Sequence, residues 1–326
     1  MRIGLIDVDG HNFPNLALMK ISAWHKAQGD DVEWYDPFNA LIRGEYDKVY
    51  MSKVFSFSDD YDNPIYAKEI HRGGSGYAIY LEDGIDKFGK DEKLPDEIEH
   101  IYPDYGLYGV TDTAYGYLTR GCPRGCAFCH VAAKEGKKTY KVADLSEFWN
   151  GQKNIVLCDP NLIACRESTE LLQELIDSKA WVDINQGVDI RIMTEEKARM
   201  FKQLKTKNIH FAWDRYEDKD IIIPKLKMFK EITNIDERKL TVYCLTNFNT
   251  TLEQDLERIY TLRDMGYSPY IMVYDKEHTT PHQPCRMLQR WVNNRILFKT
   301  VNRFEDYRPH GKDLVLDFEE KGGGLR

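Results

Sequence analysis

The stretch Ala114-Tyr-Gly-Tyr-Leu-Thr119-Arg-Gly-Cys122-Pro-Arg-Gly-Cys126-Ala-Phe-Cys129-His130 decides how this chain is read. Ala114 to Thr119 has the short apolar character of a buried strand. Three of the seven cysteines follow within eight residues, in a Cys-x3-Cys-x2-Cys spacing. Thiolates are soft ligands that suit iron–sulfur clusters, zinc or copper. Three so close together must come from one loop around a compact centre. Structural zinc normally draws a fourth ligand from a second pair. His130 is adjacent to Cys129 and would strain to serve the same ion. An iron–sulfur cluster, zinc and unmetallated thiols are the three readings, and three thiolates that leave one iron open favour the first. Gly121 and Gly125 allow tight turns around such a centre.

Outward from this loop the chain alternates. Strands are expected at Asn154–Cys158, Trp181–Asn185, Ile209–Trp213, Leu240–Leu245 and Pro269–Tyr274. Helices are expected at Glu167–Ser178, Glu195–Leu204, Ile223–Ile232 and Leu252–Met265. Repeated βα units predict a parallel sheet, open or closed into a barrel. Counting Ala114–Thr119, six such strands are fewer than a full barrel needs, so a partial (β/α)6 barrel is expected.

The first hundred residues read as a separate α/β layer. Met1 to Asp9 predicts a buried strand rather than a signal peptide. Leu16–Gln28 predicts a helix whose apolar face holds Leu16, Met19, Ala23 and Ala27, widened by Ala17, Ile21 and Trp24. Val32–Tyr35 predicts a strand, Lys48–Met51 with Val54–Phe55 predicts another, and Lys87–Pro103 reads as a connector. The expected division is 1–110, 111–276 and a C-terminal extension, 277–326, closing the barrel.

The composition is that of a folded chain, 42% hydrophobic and 30% charged. No apolar run is long enough for a membrane helix. An odd cysteine count argues against a disulfide scaffold and for a reducing compartment, so a cytoplasmic enzyme is expected. The net charge is −8, and residues 1–110 hold 11 basic against 21 acidic residues. That balance argues against a nucleic-acid partner. Seven basic residues lie between 286 and 312: Arg286, Arg290, Arg295, Lys299, Arg303, Arg308 and Lys312. The first five are spaced to share one helix face, with Trp291, Ile296, Leu297 and Phe298 facing the barrel. They read as a solvated face, or as a rim for an anionic substrate or an electron donor. The tail Lys321–Arg326 is expected to fray.

Cys122, Cys126, Phe128 and Cys129, at the end of a first βα strand, resemble the signature of the radical S-adenosylmethionine superfamily. The resemblance covers about 112–300. It implies a [4Fe–4S] cluster on Cys122, Cys126 and Cys129, with S-adenosylmethionine chelated at the fourth iron. It implies reductive cleavage to a 5′-deoxyadenosyl radical that abstracts hydrogen from a small-molecule or peptide substrate. A reductant such as flavodoxin or ferredoxin is the implied partner. Phe128 is implied to lie near the adenine. Asp159 and Asn161, after the second strand, are candidates for the methionine amino group, and would otherwise form an Asx turn. Asp214 and Arg215, after the fourth, are candidates for the ribose or carboxylate, and would otherwise be a surface ion pair. Asn185, Gln186 and Asp189, just past the third strand, are candidates at the barrel mouth, against a plain loop.

Residues 1–110 resemble the Rossmann-like, cobalamin-binding-like domain that precedes the barrel in one subclass. The resemblance rests on Asp7-Val-Asp9-Gly-His11, Ser52-Lys-Val54 and His71-Arg-Gly73-Gly74. Asp9 stands where a histidine ligand belongs, and His11 lies two residues later. Cobalamin-dependent methyl transfer is one implied reaction; hydrogen abstraction without cobalamin is the other. A reading from another class is a non-catalytic zinc- or cluster-binding sensor or nucleic-acid-binding module.

Overall fold

A computed structural model describes residues 1–82, 85–89 and 93–308. Lys312 and the 321–326 tail lie outside them, as does the end of the 277–326 extension. The chain is mixed α/β and divides into two compact units. One comprises Met1–Gly187 with Gln203–Lys207; the other comprises Val188–Lys202 with the residues from Asn208 onward. No helix among the described residues is long and apolar enough to cross a membrane.

The first unit opens with a parallel four-stranded sheet of β1 (Arg2–Asp7), β2 (Asp31–Trp34), β3 (Tyr46–Ser52) and β4 (Ala67–Gly73), in the order β2-β1-β3-β4. β1 is central, so both of its faces are covered and its sequence is a continuous apolar run. Ile3 and Leu5 pack on Leu18 and Ile21 of α1 (Leu16–Ala27). Ile6 packs with Tyr35, Tyr46, Val49 and Met51 on the opposite side. Each fully buried Ile or Leu contributes about 2 kcal/mol. Asn15 caps α1 by accepting from the Leu18 N–H, and its Nδ2 donates to Ser52 Oγ at 2.8 Å. One buried side chain therefore fixes the helix start to the end of β3.

Three expectations are corrected here. Of the expected α1 face, Met19 and Ile21 are buried and Trp24 packs on the core, but Leu18 and His25 are buried as well and Ala27 is exposed. The helix is covered on a second side: Ser22 donates to Asp104 at 2.7 Å and Lys26 pairs with it at 2.6 Å. Val54 and Phe55 are not a strand, because their N–H groups are bound by Asp9 instead of a ladder. The 87–103 connector contains structure. β5 (Ile79–Glu82) pairs antiparallel with β6 (Ile85–Phe88), and α4 (Asp96–Glu99) packs Ile98 into the α1 core. α2 (Pro37–Arg43) and α3 (Ser75–Ala78) complete this part.

The larger sheet is six-stranded and parallel. In chain order its strands are β7 (Thr113–Gly116), β10 (Asn154–Leu157), β11 (Trp181–Val188), β12 (Thr206–Ala212), β13 (Leu240–Thr246) and β14 (Ser268–Val273). They lie side by side in that same sequence. Between β7 and β10 come a short pair, β8 (Thr119–Arg120) and β9 (Tyr140–Lys141), and the helix α5 (Val131–Glu135). The connections between sheet strands carry α6 (Ser168–Ser178), α7 (Glu195–Gln203), α8 (Lys219–Thr233) and α9 (Leu252–Asp264). This is the βα alternation expected from the sequence.

The C-terminal basic residues do not share one helix. α10 (Pro284–Asn293) ends at Asn294, whose side chain caps α11 (Arg295–Thr300) by accepting from the Ile296 and Leu297 N–H groups. Trp291 is fully buried, but Ile296 is 76% exposed, because the break turns it outward.

Candidate functional site

The cysteine loop grows from the C-terminal end of β7. Leu118 and Thr119 are fully buried, and β8 pairs antiparallel with β9, Thr119 opposite Lys141 and Arg120 opposite Tyr140. The loop thus leaves and returns through a two-stranded neck. Gly121 sits in that neck at φ +81°, and a Cβ there would come within 2.1 Å of the Lys138 carbonyl oxygen. Only glycine permits that approach. The Gly121 N–H donates to Glu135 Oε2 at 2.9 Å, and its carbonyl accepts from Thr139 Oγ1 at 3.1 Å. The Arg120 guanidinium donates to Glu135 Oε1 at 3.0 Å and lies 3.9 Å over the Tyr117 ring. Cys122 N–H donates to the Gly136 carbonyl at 3.2 Å, and Cys129 N–H to the Cys126 carbonyl at 3.0 Å.

Cys122 and Cys126 are half-buried and Cys129 is exposed; all seven cysteines are thiols rather than disulfides. Phe128 is half-buried in the turn between Cys126 and Cys129. Among the described residues, no group of three or more His, Cys, Asp or Glu side chains is drawn together as a metal site. The loop nevertheless fits a soft metal centre by its donor chemistry. It carries three thiols on a glycine-turned backbone, with access from solvent and an amide donor at the first sulfur.

That donor is Asn161. Its Nδ2 lies 3.6 Å from Cys122 Sγ, the side chain is 2% exposed, and its Oδ1 is buried without a hydrogen-bond partner. Asp159, two residues earlier, addresses the neck. It is fully buried and accepts from Leu118 N–H at 3.1 Å, from Thr119 Oγ1 at 2.6 Å and from Thr119 N–H. Burial pushes its carboxyl up to about 6, against the lowering by the Thr119 and Leu118 donors. Burial likewise pushes the Cys158 thiol up to about 12, reinforced by the Asp159 charge. Burial also pushes the Cys244 thiol up to about 12. The structure therefore brings Asp159 and Asn161 to the cysteine loop.

Asn185 and Gln186 lie within β11, which runs three residues past the expected Asn185 end; Asn185 is half-buried and Gln186 exposed. In the second unit, Asp189 accepts from Arg191 N–H at 3.2 Å and from Arg191 Nε at 2.7 Å. Arg191 also donates to Asp218 at 2.7 Å. Asp214 follows β12 and accepts from the Leu245 N–H at 3.2 Å. Burial raises its carboxyl to about 6, with Arg258 acting in the opposite sense. Arg215 is an exposed side chain 3.7 Å from Glu217, a surface pair.

Two sets of residues carry no signal in the sequence pattern. Glu135 follows the cysteines at no diagnostic spacing. Arg258 and Asp255 form an i, i+3 pair on α9 that resembles any helix-surface pair, yet both are buried. Arg258 donates to the carbonyls of Trp213, Asp214 (3.0 Å) and Leu245 (2.7 Å), and to Asp255. Thr246 Oγ1 donates to Asp255. The pair gathers the C-terminal ends of β12 and β13.

Three of the residues read for cobalamin, Asp9, His11 and Gly74, make contacts within the chain. Asp9 is spent on Val54 N–H (2.5 Å), Phe55 N–H (3.3 Å) and Ser58 Oγ (2.6 Å). His11 stacks on Trp34 with ring centroids 4.1 Å apart. Gly74, at φ +98°, would place a Cβ 2.3 Å from the Lys53 carbonyl oxygen, so its missing side chain admits the protein's own backbone. No protein-family model matches the chain, and no curated protein matches it.

Proposed function

We propose that this chain is a radical S-adenosylmethionine enzyme whose α/β architecture is a Rossmann-like layer followed by a partial (β/α)6 barrel. One observation carries the proposal. A Cys-x3-Cys-x2-Cys loop stands at the C-terminal end of the first strand of a six-stranded parallel sheet, and the next βα loop reaches its first sulfur through Asn161. Parallel α/β sheets keep their sites at that end. Cys122, Cys126 and Cys129 would hold the cluster. When bound, a [4Fe–4S] cluster supplies one electron, drawn from an external reductant, to the sulfonium of S-adenosylmethionine.

The chain's own residues do the rest. Asp159 fixes the backbone at Leu118 and Thr119, and Glu135 fixes it at Gly121, so the three thiols are presented from a set neck. Asn161 offers a donor to Cys122. Arg258 holds the ends of β12 and β13 together. The commitments of Asp9 and Gly74 favour hydrogen abstraction without cobalamin. The substrate class is a small molecule or peptide.

The test is anaerobic reconstitution with iron and sulfide, followed by dithionite and S-adenosylmethionine. Four irons per chain and formation of 5′-deoxyadenosine and methionine are expected. Stoichiometric zinc with no cleavage would replace this reading with a non-catalytic metal module.

A further inference from the structure

Asn161 is placed by more than its own turn. Its carbonyl accepts from the Ala164 N–H at 3.1 Å, and Leu162 and Ile163 behind it are buried. The loop that carries it is bound through Asp159 to the strand that launches the cysteines. The amide nitrogen therefore meets Cys122 Sγ from a rigid base.

Nδ2 lies 3.6 Å from Cys122 Sγ on a side chain that is 2% exposed. An amide N–H is a donor, and a metal-bound sulfur is an acceptor.

We infer that Asn161 is a positioning residue that sets the reduction potential of the centre on Cys122, by donating an N–H···S hydrogen bond to that ligand's sulfur. The inference rests on the cluster reading above. Hydrogen bonds to cluster sulfurs are among the determinants of iron–sulfur potentials. A donor on the sulfur draws electron density from the cluster and stabilises its more negative, reduced form. Removing the donor lowers the potential and makes one-electron reduction harder.

The experiment is an EPR-monitored redox titration of the reconstituted full chain, as wild type, Asn161→Leu and Asn161→Asp. The expected result is a lower midpoint in both variants at unchanged iron content. The Asp variant should be the lower, because it adds a negative charge as well as removing the donor. Equal midpoints at equal iron content would overturn the inference.

The wild type supplies a second measurement if a variant fails to fold or to retain iron. With asparagine labelled with 15N at the side-chain amide, pulsed EPR of the reduced cluster should show a weak 15N coupling. Absence of that coupling overturns the inference on the wild type alone. A protein that shows no iron–sulfur signal after reconstitution overturns the cluster reading, and the inference with it. A normal cluster signal with neither shift nor coupling removes only the role of Asn161.

Discussion

Glu135 closes the cysteine loop on its own entrance: its Oε2 accepts the Gly121 N–H at 2.9 Å while Oε1 takes the Arg120 guanidinium at 3.0 Å. The two residues are far apart along the loop, so this carboxylate acts as a clasp. Its side chain is only 8% exposed. Replacing Glu135 with Ala leaves Arg120 mostly buried, with Glu99 at 3.9 Å as its remaining carboxylate. The expected loss is about 2–3 kcal/mol of folding free energy, since one partner of a largely buried pair is removed. Urea denaturation measures it, and an unchanged midpoint would show that the clasp is dispensable.

Burial pushes the Asp159 carboxyl up to about 6. A raised acid binds more protons in the folded state than in the unfolded one. Its stabilising contribution is therefore complete below about pH 4 and is lost as pH rises to about 6. Wild type should lose stability from this group between about pH 4 and about pH 6, a span of about two units that corresponds to at most about 3 kcal/mol. Asp159→Asn should flatten that part of the profile and weaken the protein at every pH. One amide oxygen cannot accept from Leu118, Thr119 N–H and Thr119 Oγ1 together. Denaturation midpoints for both proteins across this range provide the comparison.

Arg258 is wholly buried against Asp255. Arg258→Met strands that carboxylate and frees three strand-end carbonyls, so a loss of about 3–5 kcal/mol is expected. The double replacement Arg258→Met with Asp255→Leu should recover part of it. A double-mutant cycle measured by chemical denaturation decides the matter; strict additivity would mean the pair is not coupled.

Cys126→Ala should abolish iron retention and 5′-deoxyadenosine formation together. Cys285→Ser, outside the loop, should leave four irons per chain. Iron and acid-labile sulfide assays distinguish the two, and equal iron in both proteins would contradict the ligand assignment.

The parallel sheet was legible because the strands from Asn154 onward carry buried apolar residues and alternate with amphipathic helices. β4 was not legible. Ala67-Lys-Glu-Ile-His-Arg-Gly is almost wholly exposed at an edge, so no alternation marks it. The buried face of α1 is wider than its periodicity implies because the partner covering its second side, around Ile98 and Asp104, comes from a charged, proline-bearing segment. At the site, Cys122, Cys126 and Cys129 announce themselves by spacing. Asp159 and Asn161 could be named from their place after a strand, but their roles depend on which groups the neck presents. Arg258 and Glu135 are ordinary charged residues until burial is known.

The β8–β9 neck changes the order in which this protein can be assembled. Thr119 and Lys141 are joined across a long intervening segment, and bringing such ends together carries a conformational entropy cost. Strand pairing, with the hydrogen bonds at Gly121 and Cys122, meets that cost during folding of the polypeptide. An incoming metal centre would then have to order only the short arc that bears the thiols. The metal-free chain should accordingly be a stable, cooperatively folded protein, unlike small domains in which metal capture and folding are a single event.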